Sequence, residues 1–213
     1  MDSGNCRLCG FSRLTSVSQD KRRAFYRCEN CELISVPERY WLSEDDEIKR
    51  YSLHDNNLSN SGYVKWLSQV ADEVQKACGS KSEVLDFGCG AAAVLSQLLN
   101  EKGIDCRAYD PNVQEYMYRR SKGTYDIIVL CEVIEHLKNI REEFELIDEC
   151  LEGDGKVILR TQLYGDLSKF NEWWYAQDLT HINFFNEKSL QTAAGLINKK
   201  LEKTGLPDIF LLE

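Results

Sequence analysis

No apolar run in these 213 residues approaches the roughly 20 that a membrane helix needs. A basic leader followed by an apolar stretch is also missing. The chain opens Met1-Asp2-Ser3-Gly4-Asn5-Cys6, so a secretory signal is not expected and the protein reads as cytoplasmic. Internal repeats and low-complexity tracts are not evident either. Histidine is scarce, with three residues, and His54, His136 and His181 each fall inside a motif segment. Positive charge is short: 26 Lys and Arg face 35 Asp and Glu, for a net charge of −9. Residues 1–36 hold +2 of this and the remainder −11. An acidic body of that kind argues against broad contact with nucleic acid. The small loop Lys21-Arg22-Arg23 leaves a specific nucleic-acid contact open.

Cysteine is plentiful, with nine residues. Four of them, Cys6, Cys9, Cys28 and Cys31, form two C-x-x-C pairs at the N-terminus. Two residues between cysteines let a tight knuckle aim both sulfurs at one ion, and two knuckles complete a tetrahedron. The spacing predicts a zinc-ribbon-like unit over 1–36 with Zn2+ as its metal. A pair of disulfides or a redox site is the alternative. Leu14 to Val17 and Ala24 to Tyr26 are expected to form a small hairpin inside it. Cys78, Cys89, Cys106, Cys131 and Cys150 stand singly in apolar or mixed segments and read as reduced core residues. The odd total argues against a complete disulfide framework.

Residues 37–82 read as a helical linker or cap. Tyr63, Trp66, Leu67, Val70, Val74 and Ala77 recur at helical spacing over 62–78. From Glu83 strands and helices alternate, which predicts an α/β domain over 83–213 with a mostly parallel sheet. Strands are expected at 83–87, 105–109, 125–130 and 155–160, and helices at 91–101, 112–120, 139–151 and 187–200. The tail 208–213 reads as a final edge strand.

The segment Val84-Leu85-Asp86-Phe87-Gly88-Cys89-Gly90 is the most telling. A buried strand runs into two glycines and then a helix, an order that lets backbone approach a ligand closely. Asp110 lies about twenty residues on, at the end of the next strand, where a carboxylate can accept ribose hydroxyls. A nucleoside-bearing cofactor is implied.

In this order the motifs resemble the Rossmann-like core of class I S-adenosylmethionine-dependent methyltransferases over 83–160. They are Val84 to Gly90, Ala108-Tyr109-Asp110-Pro111, and Tyr125-Asp126 through Glu132-Val133-Ile134-Glu135-His136-Leu137. The subgroup most resembled includes ubiquinone-biosynthesis O-methyltransferases. The four-cysteine unit, Tyr51-x-x-His54-x-x-Asn57, Gly62-Tyr63 and Trp174-Tyr175-x-x-Asp178-x-Thr180-His181 resemble a bacterial branch with a zinc-binding leader.

The resemblance implies S-adenosylmethionine as cofactor. It would be bound by Asp86, Gly88, Cys89, Gly90 and Asp110, with Cys131 and Glu132 near the sulfonium and His54, Asn57 and Tyr63 closing over it. Two departures stand out. Ala92 replaces the family's third glycine. The interval from Asp110 to Asp126 is also too short for the usual third strand, which leaves adenine to Tyr116, Tyr118 or the 51–63 segment.

For catalysis, Glu132, Glu135 and His136 fall at i, i+3 and i+4 and can converge. In related quinone O-methyltransferases such a set implies a divalent cation; bracing of the loop is the plainer reading. Asp178 precedes His181 by three residues, and a carboxylate there can fix the tautomer of a base. Trp173, Trp174 and Tyr175 can wall off a flat acceptor. A small-molecule methyl acceptor is expected. RNA or protein presented by the zinc unit, or a binding protein with a decayed cofactor site, are the alternatives.

Overall fold

The protein is described by a computed structural model covering residues 4–51, 56–116 and 123–213. In chain order its strands and helices begin with β1 (Leu14–Gln19), β2 (Ala24–Cys28), β3 (Ile34–Ser35), α1 (Glu44–Tyr51) and α2 (Ser61–Ala77). Next come β4 (Glu83–Phe87), α3 (Val94–Glu101), β5 (Asp105–Tyr109), β6 (Tyr125–Cys131), α4 (Ile140–Cys150) and β7 (Leu151–Arg160). The chain ends with α5 (Trp174–Gln177), β8 (Asn183–Phe184), α6 (Glu187–Leu196), β9 (Leu201–Lys203) and β10 (Ile209–Leu212). Among the described residues no helix is long and apolar enough to cross a membrane.

Packing divides the chain into two compact units, each assembled from separated segments. The boundaries at 36 and 82 read from the sequence follow the chain instead. One unit comprises Asp55–Val133, Glu145–Arg160 and Lys199–Glu213. Its sheet has the order β5-β4-β6-β7-β10-β9. The pairs β4–β5, β4–β6 and β6–β7 are parallel, and β7–β10 and β10–β9 antiparallel. Val84, Ile127, Val129 and Ile158 form a core with Leu67, Val70 and Val74 of α2 and Val94, Leu95 and Leu99 of α3. The apolar period of α2 is thus its packing face. The helix begins at Ser61 because the Asn60 side chain accepts the Tyr63 N–H at 3.1 Å. Arg160 clips α2 to the sheet. It pairs with Asp208 at 2.7 Å, donates to the Trp66 carbonyl at 2.8 Å and stacks on the Trp66 ring.

Among the described residues no strand lies outside β5, which agrees with a missing third strand. The helix expected over 112–120 is absent where the chain is described. Only a 3-10 turn, Gln114–Tyr116, is found before residues 117–122, which lie outside the description. The tail strand is real but not an edge: β9 pairs outside it. The helix α6 stops at Leu196, short of the expected 200, because Asn198 takes a left-handed φ of 56° before β9 begins at Leu201.

The other unit comprises Met1–His54, Ile134–Phe144 and Thr161–Asn198. The hairpin expected in the cysteine-rich segment is β1–β2, extended by β3 and then β8 in one antiparallel sheet. Phe25 meets Phe170 and Phe184 edge-on at 5.1 and 5.8 Å, within a core that includes Ile34, Val36, Tyr175 and Ile182. The N-terminal strands therefore fold against residues 161–198 rather than by themselves.

Candidate functional site

The glycine turn leaves β4 at the point where the parallel sheet runs outward on both sides, to β5 and to β6. In open α/β sheets, ligands bind beyond the strand ends at such a switch. Gly88 and Gly90 both adopt positive φ, +79° and +67°. Their surroundings differ. A Cβ on Gly88 would lie 2.6 Å from Cγ2 of Val133, while one on Gly90 would meet nothing within 4 Å. Gly88 is demanded by packing, and Gly90 borders open space. The N–H groups of Gly88 and Cys89 donate to the Tyr109 carbonyl at 2.7 and 3.1 Å, and Gly90 N–H donates to Asp110 Oδ2 at 2.9 Å. Asp110 Oδ1 accepts the Asn112 N–H. The predicted ribose carboxylate and the turn are thus one structure.

Asp86 has a partner within the protein. It is buried, and its Oδ2 accepts the Ser96 N–H at 3.2 Å and the Ser96 hydroxyl at 2.9 Å. Ser96 is the third residue of α3, whose N-cap Ala93 has a left-handed φ of 43° and offers no side-chain acceptor. Asp86 therefore supplies, from the strand, the negative charge and acceptor that the helix N-terminus lacks. Burial raises its pKa to about 6. Strain falls on Ala93, not on Ala92, which the sequence pattern had singled out.

At the end of β6, Glu132 also has positive φ (54°), and its N–H donates to the Arg160 carbonyl. Burial first, then the acidic neighbours Cys131, Asp86 and Glu132, push the Tyr63 hydroxyl above its usual range. These groups form one electrostatic neighbourhood. The Cys89 thiol is likewise held protonated by burial and by Asp86 and Asp110. Asn57 forms a turn ahead of α2 by accepting the Ser59 N–H. His54 and Tyr118 lie outside the described residues.

In the other unit the fold joins two histidines that the sequence keeps far apart. The 3-10 turn Ile134–His136 carries Glu135, fully buried, and His136. The His136 and His181 rings meet edge-on with centroids 4.7 Å apart. Nδ1 of His136 lies 3.0 Å from the Thr180 carbonyl, and Nδ1 of His181 lies 2.9 Å from the Tyr175 carbonyl. A carbonyl only accepts, so each Nδ1 bears the proton, and in the neutral rings each Nε2 keeps its lone pair. A carboxylate oxygen of Glu135 and one nitrogen of each imidazole lie within 4.8 Å of one another. Burial, then the neighbouring His136, lower the His181 pKa to about 3, so its ring is neutral at physiological pH.

Asp178 does not orient His181. Its Oδ1 accepts the Thr180 N–H and hydroxyl, and its Oδ2 pairs with Arg50 at 3.1 Å. The main chain sets the tautomer instead. The sequence reading missed Thr161, whose hydroxyl donates to Glu135 Oε2 at 3.2 Å and meets the Tyr175 hydroxyl at 3.1 Å. It also missed Arg23. That residue, read in a basic loop, is 1% exposed and directs its guanidinium into the turn that carries His181. Burial lowers its pKa to about 10, still cationic at neutral pH. This leaves Lys21 and Arg22 as the exposed cations of the loop. Of the aromatic trio, Trp174 is 63% exposed, Trp173 is half-buried against the core and Tyr175 is buried.

The four N-terminal cysteines converge as expected. Sγ of Cys6 lies 3.5 Å from that of Cys31, and Sγ of Cys9 lies 3.6 Å from that of Cys28. A disulfide needs about 2.05 Å, whereas a tetrahedron with metal–sulfur bonds of about 2.3 Å has edges near 3.8 Å. The two knuckles match. Gly10 and Glu32 turn back with φ of 74° and 68° and donate to the carbonyls of Cys6 and Cys28. Glu32 tolerates this because its carboxylate is tied to Arg27 at 2.6 Å and to Asn186 at 2.8 Å. The donor set fits one metal ion.

Residues 62–200 match the sequence model of a family described as a methyltransferase domain. No curated protein matches the chain. Among solved structures, the PH0226 protein from Pyrococcus horikoshii OT3 is similar with a TM-score of 0.55 and 15% identity, covering 77% of this chain and 96% of that one. An O-methyltransferase family protein from Burkholderia thailandensis gives a TM-score of 0.55 at 13% identity, covering 78% of this chain and 61% of its own. At these identities the structural likeness concerns the fold.

Proposed function

This chain belongs to the methyltransferase-domain family, and on that premise we propose that it moves the methyl group of S-adenosylmethionine to an oxygen or carbon of a small molecule. One observation carries the cofactor reading. The turn at Gly88–Gly90 ends on the Asp110 carboxylate, at the sheet's switch point, with open space beside Gly90. A carboxylate oxygen has more than one lone pair, so Asp110 can accept a ribose hydroxyl while keeping the Gly90 N–H. Glu132 and Asp110 give the strand ends a negative field that suits a sulfonium. Asp86 acts indirectly, by capping α3.

S-adenosylmethionine, when bound, brings the methyl group already activated. The chain's own residues align the acceptor and take its proton. We assign the proton to His136, four residues beyond Glu132 in the sequence. Its Nδ1–H is held by Thr180, which leaves Nε2 to accept, and the Glu135 carboxylate 3.8 Å away stabilises the imidazolium formed. His181, kept neutral, is its partner. The same donor set also fits a divalent cation that would make the acceptor more acidic. Cys6, Cys9, Cys28 and Cys31 would hold Zn2+ as four thiolates, a closed and therefore structural site.

Calorimetry with S-adenosylhomocysteine tests the cofactor reading. Asp110→Ala should weaken binding by about 1–3 kcal/mol through lost charge-assisted hydrogen bonds. Absence of binding by the unaltered protein at millimolar ligand would end the case. A metabolite-extract screen with radiolabelled methyl donor then identifies the acceptor. The short interval from Asp110 to Asp126, with no strand outside β5 among the described residues, favours a second reading, a non-catalytic binding protein. Cofactor binding with no labelled product would support it.

A further inference from the structure

We infer that Arg23 is a positioning residue, which fixes both imidazoles by winding the turn 175–181 around its guanidinium. The inference rests on reading His136 and His181 as the proton-handling pair of the proposed reaction. Arg23 Nη2 donates to the carbonyls of Ala176 and Asp178, both at 2.6 Å, and Nη1 to those of His181 at 2.8 Å and Leu179 at 3.4 Å. In the same turn the Tyr175 carbonyl receives His181 Nδ1–H and the Thr180 carbonyl receives His136 Nδ1–H. The carbonyls that hold the histidines, at 175 and 180, therefore flank three of those directed at Arg23, at 176, 178 and 179. Loosening the Arg23 set moves the histidine set.

Only an arginine suits this position. Its donors are spread over a rigid planar fork, whereas a lysine offers three from a single point and cannot span four carbonyls. The residue is itself held in place by its main chain and by two rings. The Arg23 N–H donates to Asp20 Oδ1 at 2.8 Å, and the guanidinium lies over the rings of Phe25 and Phe184, with its central carbon 5.0 and 5.9 Å from their centroids. Strand β2 then runs from the next residue, Ala24, to the metal-site residue Cys28. The cysteine-rich segment thus supplies a working part to the histidine pair. A detached zinc ribbon would supply none.

The chain has three histidines, so nitrogen NMR of protein labelled at histidine resolves each one, with His54→Gln to assign the third. In the unaltered protein His136 and His181 should both show the Nδ1–H tautomer. Arg23→Lys keeps the charge but not the fork. It should lose the Nδ1–H signal of both rings while metal content and S-adenosylhomocysteine affinity stay as in the unaltered protein. Lys21→Ala, on the exposed part of the loop, should change nothing. A folded Arg23→Lys protein with both tautomers intact overturns the inference.

Should that variant not fold, arginine NMR of the unaltered protein decides. Four carbonyl acceptors and full burial predict slowly rotating, slowly exchanging Nη groups on Arg23, and an averaged, fast-exchanging signal refutes it. The methyltransferase reading is tested separately. Tautomers that shift in a protein unable to bind S-adenosylhomocysteine leave Arg23's role standing and the proposed reaction rejected.

Discussion

Two glycines of one motif should respond differently to the same substitution. Gly88→Ala meets two penalties. At φ +79° an alanine carries the left-handed cost of about 1–2 kcal/mol. Its Cβ would also lie 2.6 and 3.1 Å from the two methyl carbons of Val133. Val133 is buried and cannot swing away, so overpacking adds about 1–3 kcal/mol. The sum is about 2–5 kcal/mol. Gly90→Ala meets only the first penalty, since nothing lies within 4 Å of its Cβ. It should cost about 1–2 kcal/mol. Urea unfolding of the two variants measures the difference, read from the midpoint at constant slope. Cofactor affinity should rank them in the opposite order, because the Gly90 methyl enters the space reserved for ligand. S-adenosylhomocysteine should therefore bind Gly90→Ala more weakly than its small loss of stability suggests. Equal destabilisation by the two substitutions, or tight binding by Gly90→Ala, would refute this division of roles.

The buried carboxylate of Asp86 makes a pH prediction. Its folded pKa of about 6 exceeds the unfolded value of about 3.9. The folded state therefore binds the proton more tightly. This contribution is complete below pH 4 and is lost as pH rises through 6. Two units correspond to about 3 kcal/mol. Asp86→Asn should flatten stability over that window, and an unchanged slope would place the titration elsewhere. At the metal site, Cys28→Ser should abolish metal binding, read as metal per chain, and destabilise the sheet that β2 shares with β8. Full metal content in that variant would mean that the four sulfurs do not share one ion.

What was legible in the chain was local. The period of α2, the strand–glycine–helix order at 84–94, Asp110 one strand later and the paired cysteines all follow from spacing along a few turns or strands. Backbone geometry converts such spacing directly into position. Asp86 was read as a cofactor residue, and the fold adds a partner inside the protein, Ser96. Its role depends on which residue begins α3, and element boundaries blur where a strained turn such as Gly90–Ala93 intervenes. Asp178 was misread for a related reason. Three residues of separation suggested a dyad with His181, yet the turn carries its oxygens to Thr180 and Arg50.

By itself the sequence determined the class of fold, the glycine turn with its carboxylate and the grouping of four cysteine sulfurs, because each is written in short-range spacing. Only the tertiary structure decided that His136 meets His181, that β3 pairs with β8 and that Arg23 is buried in a turn over 150 residues away. Those contacts close long loops. Chain periodicity specifies which face of an element is buried but not which distant element will cover it.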